Sequence, residues 1–498
     1  MPALMVQGTA SDVGKSVLVT AFCRIFSQDG YRVAPFKAQN MSLNAYVTVD
    51  GGEIGRAQGV QAEAAGVEAT VDMNPVLLKP KRDTVAQVVV HGRPVGDLPA
   101  RDYRERYLEK AWEAVVKSFR RLASEYEIII IEGAGSPAEV NLKDKDIANM
   151  RVAALADAPV VLAADIDRGG VFAQLIGTVK LLHPVEAARI RGMVINKFRG
   201  DHKILDPGLC FLEKNTGLPV LGVLPYLPDL GVAAEDSVSL TGGFFRPEAV
   251  LDIAVVRLPR IANFDDFDPL RCEPDVSLRF VTAPVFLGTP DLIIIPGTKN
   301  TVSDLHWLQA TGWAEAITAK ATQGTPILGI CGGYQMLGAE IRDPGGIEDA
   351  PGTVPGLGLL DTATVFREEK TTVRSRGVVA GAGILTELKG EEVKGYEIHT
   401  GVTVLGTRTE PVFLLQQGAG PVAEGAIRAT VLGTYLHGLF EADSFRRRFL
   451  NLLRKRRGLS AEDFGICFSR CREAGFDRLA AAVRKHLRMD EVYRWLGL

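Results

Sequence analysis

The chain is poor in several features that would narrow its class at once. Cysteine is scarce: among 498 residues there are six (Cys23, Cys210, Cys272, Cys331, Cys467 and Cys471), none in a C-x-x-C pair. That sets aside a disulfide framework and a thiolate metal site, and a reducing cytoplasm is the expected setting. No run of about 18 apolar residues occurs, so no membrane span is expected. The first residues enter a strand directly, without the basic, apolar and small-residue series of a secretory signal. Charge of one sign is also lacking. A net charge of −3 gives no global reason to expect nucleic acid or an anionic membrane as partner. What the chain does have is 46% hydrophobic and 23% charged residues, ordinary globular values that exclude disorder. Its length calls for two or three domains, and 52 glycines fit a loop-rich α/β enzyme better than a helical bundle.

The most informative stretch is Leu4 to Ser16, LMVQGTASDVGKS. A short apolar strand runs into a glycine-bearing loop, and Gly14-Lys15-Ser16 opens a segment with helical spacing (Val17, Leu18, Phe22, Ile25, Phe26). Such a turn wraps backbone N–H groups round anionic oxygens and adds the helix N-terminus, while a lysine supplies direct neutralisation. Thr9, Asp12, Val13, Gly14, Lys15 and Ser16 are therefore the expected ATP contacts, with the Ser16 hydroxyl on Mg²⁺. The spacing is unusual: five residues, not four, separate Gly8 from Gly14, and Thr9 holds the place of the first glycine.

Further strands alternate with helices over about 220 residues, which predicts a parallel, doubly wound sheet. Tyr31–Phe36 ends in Lys37, a candidate phosphate or substrate-carboxylate ligand, followed by the polar cluster Gln39–Ser42. Glu53–Gly66 reads as helical. Lys79 and Lys81, flanked by prolines, read as a rigid loop, most simply a solvated turn. Glu127–Ile131 is continuously apolar, as a buried parallel strand should be, and ends in Glu132, placed to hold Mg²⁺ beside the phosphate loop. Pro159–Ala164 ends in Asp165 and Asp167, further candidates at the phosphate or substrate. Met193–Ile195 ends in Asn196, whose amide suits an adenine edge. These polar strand tips gather on the edge where open α/β sheets bind ligands.

Leu230–Pro247 has no periodicity and reads as part of a linker. A second alternation follows, and Pro326–Gly338, PILGICGGYQMLG, puts Cys331 at a glycine-flanked corner between strand and helix. That setting exposes a thiol and favours the thiolate. The base is expected from His437 in Tyr435-Leu436-His437-Gly438, with His399 as rival. His91, His183, His202, His306 and His486 lie outside any motif. Gly297 and Gly332 are the candidate oxyanion-hole amides. The readings divide the chain into an ATP-binding domain (1–229), a linker (230–250), a second α/β domain (251–450) and a basic helical tail (451–498), expected to be a solvated appendage.

With both motifs located, the sequence resembles the cobyric acid synthase family, glutamine-dependent amidotransferases of cobalamin biosynthesis. The first half is similar to dethiobiotin synthetase-like ATPases through GTASDVGKS and EGAG; the second is similar to class I glutamine amidotransferases through GICGGYQ and YLHG. QNMSLN (39–44), EIGRAQ (53–58), MNPVLLKP (73–80), ADIDRGGVFA (164–173), NKFRGD (196–201) and YEIHTG (396–401) extend the likeness to about Leu450. The resemblance implies ATP- and glutamine-dependent amidation of the b, d, e and g carboxylates of adenosylcobyrinic acid a,c-diamide. It further implies an acyl phosphate and ammonia released by Cys331 and His437, with the corrinoid and glutamine as partners and Mg²⁺ as cofactor. Many class I enzymes carry a glutamate two positions after the histidine. Leu439 stands there, so the pair must be oriented by another group, and Glu397 and Glu441 are both candidates. The nearest alternative is cobyrinic acid a,c-diamide synthase. A related ligase acting on a cell-wall or other carboxylate, and a P-loop partitioning or regulatory ATPase with a degenerate amidotransferase module, are more distant ones.

Overall fold

In a computed structural model the described residues are 2–228, 246, 248–348, 350–417, 420–463 and 465–498. Most of the expected linker, including 230–245, lies outside them. The chain separates into two compact units: Met1–Ser42, Thr48–Glu235 and Arg472–Leu498 in one, and Leu43–Val47 with Asp236–Cys471 in the other.

The first unit is built on a six-stranded sheet. Its strands are β1 (Ala3–Gly8), β2 (Val33–Phe36), β3 (Ile128–Glu132), β4 (Val160–Asp165), β5 (Ile190–Phe198) and β6 (Val220–Pro225), in the order β6-β5-β4-β1-β3-β2. All pairs are parallel. Runs such as Ile128–Ile131 are wholly buried because helices cover both faces of such a sheet, which is why they read as unbroken apolar stretches. Helix α1 (Lys15–Gln28) follows the glycine loop after β1, and α2 (Arg56–Ala65) follows the three-residue strand Glu53–Gly55. Register sets Val6 beside Glu132 and Asp165 beside Asn196, so the polar tips share one edge.

Two expectations are corrected. Lys79 and Lys81 sit in the strand Val76–Arg82 instead of a solvated turn; Lys79 is buried against Glu53, and Lys81 pairs with Asp97. The tail is not a solvated appendage either. Phe476, Leu479, Val483, Leu487 and Val492 join Leu18, Phe22, Ile25 and Phe26 in one core. Its apolar residues recur at helical spacing beneath the charged ones, and Arg24–Asp477 and Arg484–Asp29 pairs rim the contact. The chain passes so close to β6 that a Cβ at Gly222 would lie 2.0 Å from the His486 carbonyl oxygen.

The second unit carries another six-stranded sheet, with strands β7 (Leu251–Val256), β8 (Val276–Val281), β9 (Leu292–Ile295), β10 (Ile327–Ile330), β11 (Ala426–Arg428) and β12 (Val431–Thr434). Their order is β8-β7-β9-β10-β12-β11. All but the edge pair β11–β12 are parallel. A second sheet in this unit is built around the long antiparallel pair Thr362–Val379 and Glu392–Leu405.

Candidate active sites

In the first unit, the loop after β1 turns through Asp12 (φ 66°) and Gly14 (φ 98°) before α1 begins at Lys15. A left-handed aspartate is costly, and such strain collects where backbone amides must converge on a ligand. Lys15 is buried and its Nζ donates to the carbonyl oxygens of Ala10 (2.8 Å) and Gly135 (3.1 Å), lying across the loop. Glu132, fully buried at the tip of β3, accepts from Ser16 Oγ (2.9 Å) and pairs with Lys37 Nζ (2.7 Å) through Oε1. Four of the expected residues, Lys15, Ser16, Lys37 and Glu132, are thus brought to one place.

The other expected residues flank the loop. Thr9 Oγ1 donates to Gln174 Oε1 (3.1 Å). Asp165 pairs with Lys197 (2.9 Å), Asp167 with Arg199 (3.3 Å) and Asp12 with Arg168 (2.7 Å), so these carboxylates hold cations at the edge of the site. Asn196 is engaged differently from the adenine reading: its Nδ2 donates to Val13 O (2.9 Å) and its Oδ1 accepts from Lys197 N (2.9 Å). A Cβ on Gly14 would lie 2.1 Å from that Nδ2, so the amide braces the loop from beneath. One of its two amide N–H groups is thus held by the protein backbone.

No group of three or more His, Cys, Asp or Glu is arranged as a metal cage among the described residues. The donors at hand are hard oxygens, one carboxylate and one hydroxyl 2.9 Å apart. That set fits Mg²⁺, which binds through one or two protein oxygens and completes its shell with phosphate and water. The Lys37 ammonium already shows that Glu132 Oε1 holds a cation.

In the second unit Cys331 follows β10 at φ 51°, ψ −108°, a backbone state that non-glycine residues rarely adopt. The corner is tight: a Cβ on Gly333 would lie 2.0 Å from Ile295 O, so only glycine passes. Cys331 is 9% exposed and its Sγ approaches Ile398 O at 3.7 Å. His437, carried just past β12, lies beside Cys331 and donates from Nδ1 to Asp266 Oδ2 (2.7 Å). Asp266 Oδ1 accepts from Gly438 N (2.8 Å), which fixes the carboxylate plane. Burial lowers the imidazole pKa, but the charge and hydrogen bond of Asp266, together with Cys331, outweigh it and push His437 up to about 10.

Asp266 is therefore the group that orients His437, in place of Glu397 or Glu441. Glu397 faces Ser375 Oγ (2.5 Å) and His399 (3.6 Å), and Glu441 ends the short turn Leu439–Glu441. Sequence reading missed Asp266 because it lies in Asn263-Phe264-Asp265-Asp266-Phe267, a short 3-10 turn without a motif. The available signal was a polar cluster beyond the C-terminal end of β7, the rule that served in the first half. Asn263, at φ 53°, was missed for the same reason. Its Nδ2 lies 3.4 Å from His437 Nε2, and its Oδ1 accepts from Ala45 N (2.9 Å). His399 stacks on Tyr435 (centroids 3.8 Å apart) and its Nδ1 bonds Gly401 O (2.8 Å). Gly297 belongs to the Cys331 site: a Cβ there would lie 3.1 Å from His437 Cε1 and 3.8 Å from Cys331 Cβ. Gly332 abuts Thr298, where a Cβ would meet Thr298 N at 3.2 Å.

Comparison with known proteins supports this division. Residues 4–240 match the CobQ/CobB/MinD/ParA nucleotide binding domain, and residues 252–445 match the CobB/CobQ-like glutamine amidotransferase domain. Cobyric acid synthase of Pelotomaculum thermopropionicum is 56% identical, covering 100% of this chain and 97% of that protein. The cobyric acid synthases of Desulforamulus reducens (52% identical, 99% and 98% covered) and Moorella thermoacetica (51% identical, 100% and 97% covered) are similar throughout. With both the nucleotide-binding and the amidotransferase halves in place, the chain belongs to the cobyric acid synthase family of glutamine-dependent amidating ligases.

Proposed function

We propose that the chain amidates the b, d, e and g carboxylates of adenosylcobyrinic acid a,c-diamide, using ATP and glutamine, to give adenosylcobyric acid. What carries this reading is the presence in one chain of a Lys15–Glu132–Lys37 phosphate pocket and a Cys331–His437–Asp266 array. The first unit is the synthetase and the second the glutaminase.

A carboxylate does not react with ammonia in water, because its oxygen leaves poorly and its charge repels nucleophiles. In this reading a substrate carboxylate oxygen attacks the γ-phosphorus of ATP, ADP leaves, and the acyl phosphate so formed has a good leaving group. The loop amides and Lys15 stabilise charge on the transferring phosphoryl group, and Lys37 steadies phosphate or substrate carboxylate. Mg²⁺, held by Ser16 and Glu132, would supply further charge neutralisation at the phosphates. Ammonia then attacks the acyl carbon and inorganic phosphate departs.

Ammonia must arrive unprotonated, since ammonium has no lone pair. Cys331 Sγ attacks the glutamine carboxamide carbon, and the developing oxyanion meets the amides near Gly297 and Gly332. His437 holds the thiol proton and passes it to the departing nitrogen, releasing ammonia and leaving a thioester that water hydrolyses to glutamate. Asp266 fixes which ring nitrogen faces the thiol, as the aspartate does in other triads. All six cysteines are free thiols, in keeping with a cytoplasmic reaction. Mass spectrometry of the diamide after incubation with ATP and amide-¹⁵N glutamine tests the reading. Four labelled amides are expected; a diamide left unlabelled, with two amides added to an unamidated precursor run in parallel, would replace it.

A further inference from the structure

Three motifs of the first half, QNMSLN, EIGRAQ and MNPVLLKP, have no part in the chemistry described so far, yet amides from them, with Gln61 just beyond EIGRAQ, form chains that lead to Glu132 and Lys37. Gln61 Nε2 donates to Glu132 Oε2 at 2.5 Å. Gln61 Oε1 accepts from Gln58 Nε2 (3.4 Å), and Gln58 Oε1 accepts from Asn40 Nδ2 (2.9 Å). Gln58 Nε2 also reaches Glu132 Oε2 at 3.4 Å. Asn40, Gln58, Gln61 and Glu132 are all buried, at 2% exposure or less. Asn74 completes the arrangement: its Oδ1 accepts from Gly55 N (2.9 Å), and its Nδ2 donates to Lys37 O (2.9 Å).

We propose that the buried amide relay Asn40–Gln58–Gln61 is a positioning device for Glu132, with Gln61 its decisive member. This rests on the reading of Glu132 as the metal-holding carboxylate of the nucleotide site. The relay runs one way: the amide nitrogens of Asn40, Gln58 and Gln61 point toward the carboxylate, and the amide oxygens of Gln58 and Gln61 accept from the residue behind. Oε2 is thereby occupied by neutral donors, and Oε1 is left facing Ser16 and Lys37. Neutral donors suit the task. They add no further positive charge to a carboxylate that already carries Lys37 on Oε1, whereas an apolar residue would leave the buried Oε2 undersatisfied and free to turn. Gln58 and Gln61 stand on α2, so a rigid element sets the carboxylate's angle. Asn74 does the same for Lys37 through the backbone.

The test is Mn²⁺ affinity, measured by electron paramagnetic resonance in the presence of a non-hydrolysable ATP analogue, on full-length Gln61→Met, Gln58→Leu and Glu132→Gln. Gln61→Met should weaken Mn²⁺ binding about 10- to 100-fold, the usual cost of losing a partner behind a metal ligand. Its affinity for the analogue in EDTA should match the parent, because Lys15 and the loop amides are untouched. Gln58→Leu should show a smaller loss in the same direction, and it decides the matter if Gln61→Met does not fold. Folded Gln61→Met or Gln58→Leu with parental Mn²⁺ affinity, or equal losses with and without metal, would overturn the relay. If Glu132→Gln itself binds Mn²⁺ as the parent does, the metal reading of Glu132 falls, and the relay's purpose with it.

Discussion

Replacing Asp266 by asparagine is the most demanding perturbation of the glutaminase site, because it changes one charge and almost no volume. The amide oxygen can still accept from Gly438 N, but its NH₂ then faces His437 Nδ1, where the carboxylate had accepted a proton at 2.7 Å. The ring is driven to the tautomer with its proton on Nε2, the wrong one for taking a proton from Cys331. Burial lowers the His437 pKa, and the charge lost is the largest of the effects that, with the Asp266 hydrogen bond and Cys331, raise it from 6.5 to about 10. That rise corresponds to on the order of 5 kcal/mol favouring the imidazolium, at about 1.4 kcal/mol for each tenfold change. Only part of it is expressed in the transition state, so glutamine-dependent kcat should fall about 10²- to 10⁴-fold. Synthesis from ammonium salts should be unchanged. Alkylation of Cys331 by iodoacetamide, followed against pH, should lose the component that reports the imidazolium partner. Glutamine-dependent turnover within about threefold of the parent would refute the triad assignment.

Other consequences follow from buried groups elsewhere. Lys15→Ala should abolish amide formation with glutamine and with ammonium alike, since in the proposed reaction both pass through the acyl phosphate; near-parental turnover would remove the loop from phosphate chemistry. Phe476→Ala should destabilise the protein by about 3–5 kcal/mol in urea unfolding, as a fully buried phenyl ring is lost from the tail's packing on α1. A change below about 1 kcal/mol would mean the tail is dispensable. Glu424 is pushed up to about 8 by burial, against hydrogen bonds from Tyr435 N (2.6 Å) and Thr434 Oγ1 (2.7 Å). In the unfolded chain the same carboxyl ionises near 4.5, so between those values the native state binds the extra proton and stability falls as pH rises. Glu424→Gln should flatten that fall between pH 5 and 8 in thermal melts, and an unchanged slope would contradict it.

How far the sequence speaks differs by residue. The strands of both parallel sheets are legible because burial on two faces leaves unbroken apolar runs such as Ile128–Ile131 and Leu292–Ile295. Lys15, Glu132, Cys331 and His437 are legible because each chemistry demands its residue at a strand tip. Asp266 is not: it comes from a short turn among several aspartates, and only folding selects which one meets Nδ1. The tail misleads because its many arginines dominate the composition. The stripe Phe476, Leu479, Val483 and Leu487 would have shown a buried face. Lys79 and Lys81 mislead for the opposite reason, since their proline neighbours signal a turn while Glu53 and Asp97, distant in sequence, supply the partners. Asn196 is legible at the right edge, but no spacing rule shows that its amide also braces Val13 O.

The division of labour between the two units is tested most directly by Cys331→Ala, assayed with each nitrogen source. Every expected residue of the ATP site lies before residue 202 and the thiol lies in the other unit, so the variant should lose glutamine-dependent amidation completely. It should keep parental synthesis from ammonium salts at high pH, where free ammonia is plentiful. A folded Cys331→Ala protein that fails with both nitrogen sources would contradict the account, because the thiol would then be doing more than releasing ammonia from glutamine.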